Sequence, residues 1–207
     1  YLMAPPGAFW NYSNPNFYVA GLVSETLAGV PYRTLMHDRV FAPLGMERTF
    51  FLPDEVLADG DYAIGLNTAY PSIADATAPD TYDNGWARPC GYAFSDVLDL
   101  AKFTIFLMDG NDAVLPKAQR EAMQSPQISV LSYGDLLWYG YGLFVQEGLY
   151  SDAAFQHFHD VRTVSHSGSL PGFATEIVYV PALRFGIITL ANTDGAYFPE
   201  SQATALQ

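Results

Sequence analysis

Three side chains suited to acyl chemistry stand far apart in the chain: Tyr12 and Asn14 near its start and His166 near its end. A serine hydroxyl is a weak nucleophile at neutral pH and needs a neighbouring base. A phenol can be that base only where a nearby cation lowers its pKa from about 10. Tyr12 suits the role, His166 is a candidate cationic or hydrogen-bonding neighbour, and the Asn14 amide can both donate and accept. Each also has an ordinary reading: ring packing for Tyr12, a turn for Asn14-Pro15, and a strand end for His166-Ser167-Gly168.

Two rival sites are weighed against this one. Cys90 could pair with His166 as a cysteine nucleophile, but it sits in a Pro-Cys-Gly turn without the setting that lowers a thiol pKa, so a structural thiol is expected. His157 and His159 alternate, with Asp160 beside them, as a strand-borne metal pair would. With no fourth ligand nearby, exposed histidines are the expectation, and neither a metal nor a cofactor is expected.

The elements that must carry these residues fall into two textures. Asn14-Pro15 reads as a cap with proline in the first turn, and Phe17 to Ala28 carries no charge except Glu25 before Gly29, so a buried helix is expected there. An amphipathic helix is expected from Pro31 to Phe41. Residues 52–90, broken by Pro53, Pro71, Pro79 and Pro89, read as a long surface excursion. Ser95 is the expected cap of a helix reaching about Met108 that buries Leu98, Ala101, Phe103 and Phe106, and Pro116 opens a shorter one through Met123. Strands are expected at Tyr141–Gln146, Thr163–His166, Thr175–Val180 and Phe185–Ala191. Helices first and adjacent strands last predict an α+β fold with an antiparallel sheet, with 1–136 mostly helix and loop, 137–195 strands, and 196–207 opening a C-terminal segment.

The 207 residues are half apolar, enough for one domain core. With 22 acidic residues against nine basic ones the net charge is −13, which argues against a nucleic-acid or anionic-membrane partner. No apolar run is long enough for a membrane-spanning helix. The one cysteine excludes an internal disulfide.

The phrase Pro5-Pro6-Gly7-Ala8-Phe9-Trp10-Asn11-Tyr12-Ser13-Asn14, followed by Pro43-Leu44-Gly45-Met46, resembles the second-motif region of serine β-lactamases and penicillin-binding proteins. Cys90-Gly91-Tyr92-Ala93-Phe94-Ser95, Trp138-Tyr139-Gly140-Tyr141-Gly142, and His166-Ser167-Gly168 with Leu170-Pro171-Gly172-Phe173 resemble later parts of the same pattern. The resemblance runs from Pro5 to Asn192, with His166-Ser167-Gly168 where β-lactamases more often carry Lys-Thr-Gly. It extends to class C β-lactamases, DD-peptidases, D-aminopeptidases and esterase-like members. It implies a β-lactamase/transpeptidase-like fold, a serine hydrolase working through an acyl-enzyme on a small-molecule or peptide substrate, and a periplasmic or extracellular setting. It assigns Tyr12, Asn14 and His166 to catalysis and Ser167, Gly168 and Ser169 to substrate binding. The Ser169 amide would be one oxyanion donor and Gly168 would admit the substrate to the strand.

The family's first motif, Ser-x-x-Lys, is absent: Asp99 stands three residues before Lys102, and Val114 three before Lys117. The expectation is a C-terminal portion whose nucleophile lies on an upstream segment. A peptidase or esterase is favoured over a dedicated β-lactamase. The alternative is a catalytically silent binding or regulatory module of the same fold.

Overall fold

The computed structural model describes residues 4–130, 136–150 and 157–194. The expected segment 196–207 lies outside them. Among the described residues the architecture is α+β: a helical and loop-rich first part packed on a six-stranded antiparallel sheet.

Helix α1 spans Asn14–Ala28. Its N-cap is Ser13, so Asn14 and Pro15 fill the first helical positions, where proline costs no hydrogen bond. Gly29 ends it in the left-handed conformation with φ 69°. Contrary to the expected buried helix, only Gly21 is buried, and Val19, Leu22, Val23 and Leu27 are exposed. Uniform apolarity marks a helix without a polar face, but burial needs a covering surface. Among the described residues α1 packs against the 3₁₀ segment Gly85–Cys90 and against the helix Tyr32–Met36. At Gly21 the approach is so close that a Cβ would lie 2.2 Å from the Pro89 ring.

The next helix runs past its expected end. Tyr32–Met36 (α2) continues through a π-helical turn, His37–Phe41, into Ala42–Leu44 (α3), and Gly45 closes it with φ 67°. Phe41, Met46 and Phe51 form a small core beneath it, joined by Tyr32, Met36 and Phe103. The excursion at 52–90 carries more structure than its prolines suggest: helix α4 (Pro53–Asp59), the short ladder β1 (Gly65–Leu66) with β2 (Ala76–Thr77), and the 3₁₀ segment. The Pro53 that suggested a break opens α4, where its fixed φ suits the first turn.

Helix α5 spans Val97–Asp109, capped by Asp96, whose carboxylate accepts the Asp99 N–H. Ser95, the expected cap, instead bonds Thr49 through its hydroxyl at 2.8 Å. Phe106 and Leu107 reach the core, but Leu98 is 69% exposed, because the buried stripe runs through Asp99, Thr104 and Phe106 and leaves Leu98 on the far side. Helix α6 (Lys117–Met123) follows, opened by Pro116.

The sheet starts before the expected position 137, at β3 (Ile128–Ser129). It proceeds through β4 (Leu137–Tyr139), β5 (Phe144–Tyr150), β6 (Phe158–Leu170), β7 (Phe173–Val180) and β8 (Phe185–Ala191), in that spatial order. Val145 and Val164 face one another across β5 and β6, and Val164 opposes Tyr179 across β6 and β7; all three are fully buried. Phe106 and Leu107 of α5 pack on Val164 and Tyr179, which joins helix to sheet in the main core. The Tyr179 hydroxyl is satisfied there by Gln124 at 2.7 Å.

Candidate active site

Strand β6 is long enough to outrun its neighbour. Its pairing with β5 ends at Ser165 opposite Phe144, whereas its pairing with β7 continues to Leu170 opposite Phe173. Among the described residues, 166–170 therefore have β7 on one side and no strand on the other. The two-residue turn Pro171-Gly172, with Gly172 at φ 84°, closes the β6–β7 hairpin. A two-residue hairpin closes on a hydrogen-bonded pair, here Leu170 opposite Phe173, and alternation along β6 then directs the N–H groups of Ser169 and Ser167 to the open side. Ser167, Gly168 and Ser169 are all exposed.

An aromatic cluster lines this open end. Tyr12 approaches His166 with ring centroids 6.1 Å apart, and meets Tyr139 edge-on at 6.2 Å and Trp10 at 6.2 Å. Phe144 lies 5.4 Å from His166 and 4.8 Å from Tyr139. The loop before α1, the β4–β5 corner and β6 thus converge on one point, and bring together two of the residues singled out in the sequence. Asn14 stands exposed in the first turn of α1, two residues beyond Tyr12.

The hydrogen bonds of His166 assign its tautomer. Its Nδ1 lies 2.7 Å from the Ser167 carbonyl oxygen, which can only accept, so Nδ1 carries the proton. Its Nε2 therefore accepts from the Tyr139 hydroxyl at 3.2 Å. Burial lowers the imidazole pKa, and the bond to the Ser167 carbonyl opposes that shift only in part. His166 is accordingly a neutral ring at neutral pH. Burial, and secondarily Cys90, raises the pKa of the Tyr12 phenol. Burial, and secondarily Tyr12, pushes that of Tyr139 up to about 12. A Tyr12 phenolate must draw its stabilising charge from a cation other than this imidazole.

Tyr139, Trp10 and Phe144 were not singled out from the sequence. The Trp138-Tyr139-Gly140-Tyr141-Gly142 phrase was the available signal, but only strand pairing places the Tyr139 hydroxyl on His166. Cys90 closes the 3₁₀ segment and is half-buried. His159 lies on β6 with Asp160, and His157 just before it. Among the described residues no three His, Cys, Asp or Glu side chains gather as a metal site.

The family model described as Beta-lactamase matches residues 2–207. The chain belongs to the β-lactamase family. An unguisins hydrolase of Aspergillus campestris is 30% identical over 98% of this β-lactamase-family chain, which covers 36% of that protein. Among solved structures, the octameric penicillin-binding protein homologue from Pyrococcus abyssi superposes with a TM-score of 0.79 at 28% identity, over 98% of this chain and 42% of that one. A D-stereospecific amidohydrolase from Streptomyces sp. gives a TM-score of 0.65 at 25% identity, over 91% of this chain and 52% of that one. The β-lactamase/transpeptidase-like fold is thus shared over nearly the whole chain, and the chain spans roughly a third to a half of each of these relatives. No helix among the described residues is long and apolar enough to cross a membrane.

Proposed function

We propose that this chain supplies the base-bearing loop and the oxyanion edge of a serine acyl hydrolase whose nucleophile belongs to a Ser-x-x-Lys segment outside it. The observation that carries this reading is the convergence of Tyr12 and His166 at the open edge of β6. In the proposed reaction the serine Oγ attacks the carbonyl carbon of an amide, lactam or ester while its proton passes to the Tyr12 oxygen. The oxyanion is held by the Ser169 N–H and the serine's own N–H. As the C–N or C–O bond breaks, Tyr12 returns the proton to the leaving group, and water then cleaves the acyl-enzyme by the reverse traffic. The lysine of the absent motif supplies the cation that Tyr12 requires, and the Asn14 amide bridges substrate and lysine. Gly168 adds no side chain to obstruct an incoming substrate.

A peptidase acting on D-amino-acid peptides, or an esterase, fits better than a dedicated β-lactamase. The third motif offers a neutral His166 where a fixed cation would favour a substrate carboxylate. The amidohydrolase and hydrolase relatives point the same way. The raised phenol of Tyr12 also supports the second reading, a silent binding module, if no lysine is delivered to it. The 207-residue chain alone is expected to match buffer in nitrocefin and p-nitrophenyl acetate assays. A chain that includes Ser-x-x-Lys is expected to release a burst of p-nitrophenol and carry an acyl adduct by mass spectrometry. Turnover by the shorter chain that disappears in Ser167→Ala or Cys90→Ala would overturn the proposal.

His166 gives a pH prediction. Its lowered pKa places the change of ring charge below the ordinary histidine value of about 6.5, so the rate profile should bend on an acidic limb below that pH. His166→Lys fixes a positive charge, and is expected to flatten the limb and shift preference toward substrates with a carboxylate near the scissile bond. The measurement is kcat/KM against pH for an ester and a β-lactam. Superimposable profiles with the same substrate ratio would make His166 structural.

A further inference from the structure

Beyond the hairpin turn, three stretches of chain meet on one carboxylate. Asp194 Oδ1 accepts the Thr68 hydroxyl at 2.6 Å and the Thr68 N–H at 2.8 Å, and Oδ2 accepts the Gly172 N–H at 3.1 Å. The Ala69 N–H adds to the set. Around this carboxylate the backbone is stitched again: Leu66 N–H donates to the Asn192 carbonyl at 2.9 Å, Asn192 Nδ2 to the Ile64 carbonyl at 3.1 Å, and the Thr77 hydroxyl to the Pro171 carbonyl at 3.2 Å.

The contact tolerates no side chain at its centre. A Cβ on Gly172 would lie 2.0 Å from Thr77 Oγ1 and 3.0 Å from the Gly65 backbone, and a Cβ on Gly65 would lie 2.6 Å from the Gly172 carbonyl oxygen. Two glycines therefore let loop 64–77 lie directly against the turn. Asp194 is the charged group that ties loop and turn to the end of β8. Burial acts to raise its pKa, but the hydrogen bonds from Thr68, Gly172 and Ala69 prevail and hold it at about 2, so it is ionised at any working pH.

We infer that Asp194 is a positioning residue of the active site, holding the Pro171-Gly172 turn and thereby the backbone of Ser167 to Ser169 on the open edge of β6. Only Leu170 and Pro171 separate the Ser169 N–H from the tethered Gly172, and among the described residues no further strand fixes that edge of β6. The tether replaces the missing neighbour. This inference rests on the proposed role of the Ser169 N–H.

The test uses the complete enzyme with p-nitrophenyl acetate as the probe. Asp194→Asn and Asp194→Ala are expected to lower kcat about 10- to 100-fold with KM changed less than about twofold, because a displaced oxyanion donor is missed in the transition state and hardly in the ground state. Thr68→Val, which removes one bond and leaves the carboxylate, is expected to cause a smaller loss of kcat. Hydrogen exchange on the same variants is expected to speed up at Thr68, Ala69 and Gly172 while β5 and β8 amides keep their rates. Wild-type kcat in Asp194→Ala overturns the inference. So does a loss in which exchange rises throughout the sheet and Thr68→Val is silent, since that pattern marks a structural residue. Tyr12→Phe is run alongside: if it stays active, the reading of the site has failed, and if it is inactive while Asp194→Ala is normal, only the role of Asp194 has failed.

Discussion

Tyr12→Phe in the complete enzyme is expected to lower the acylation rate by about 10²–10⁴-fold with little change in melting temperature. The substitution removes one oxygen and keeps the ring. The ring's contacts are with Trp10, Tyr139 and His166, and the side chain is 47% exposed, so its packing survives the change. The hydroxyl forms no part of the Tyr139–His166 hydrogen bond, which remains intact. What is lost is the atom that moves the proton between nucleophile and leaving group. Single-turnover acylation and thermal unfolding of the same sample separate the two effects. Near-normal acylation by the phenylalanine variant would reduce Tyr12 to a packing residue.

Asp99→Ala is expected to destabilise the fold by about 3 kcal/mol, the largest single-residue loss of stability anticipated in the helical part. Asp99 is 2% exposed. It accepts the Arg48 N–H at 2.7 Å and the Thr49 hydroxyl at 2.9 Å, and pairs with Lys102 at 2.8 Å. Removing it strands the Thr49 hydroxyl and the Arg48 N–H in the interior, while the more exposed Lys102 keeps the Gly45 carbonyl and water. Burial acts to raise its pKa, but the bonds from Lys102, Arg48 and Thr49 outweigh burial and hold it below the ordinary carboxylate range. The folded value lying below the unfolded one, the stabilisation is fully present above about pH 4 and is lost as pH falls through the folded value. Asp99→Asn should therefore be less stable than wild type at pH 7, with the gap closing in acid. Urea unfolding at several pH values measures it, and a constant gap down to acid pH would contradict this account.

Much of this was legible in the residues. Gly29 marked the end of α1, Pro116 the start of α6, and β-branched runs the strands β7 and β8. These signals are local, set by one residue's allowed dihedrals or by side-chain alternation. The misses share a different cause. Leu98 and, on α1, Val19, Leu22, Val23 and Leu27 are exposed because burial depends on which surface arrives, and no periodicity encodes that. Asp96 displaced Ser95 as the cap because Thr49, distant in sequence, engages the serine hydroxyl. The site divides in the same way. Tyr12 and His166 stood out through their phrases, whereas Tyr139 and Asp194 act through partners that only the finished sheet brings near.

The order of strands in the sheet bears on how the chain reaches this state. Every strand from β3 to β8 pairs with its neighbour in sequence, so each closure spans a short stretch and costs little chain entropy. Contacts of this low order form early, by zipping from one turn to the next, and the Pro171-Gly172 turn is the tightest of them. The bonds from Thr68 to Asp194 bridge positions 126 apart and need β8 already laid down, because Asp194 lies beyond its end. Assembly is thus expected to finish with the loop at 64–77 settling onto a completed sheet. The edge of β6 acquires its final shape only in that last event, so a molecule with a fully formed sheet can still precede the competent one on the folding route.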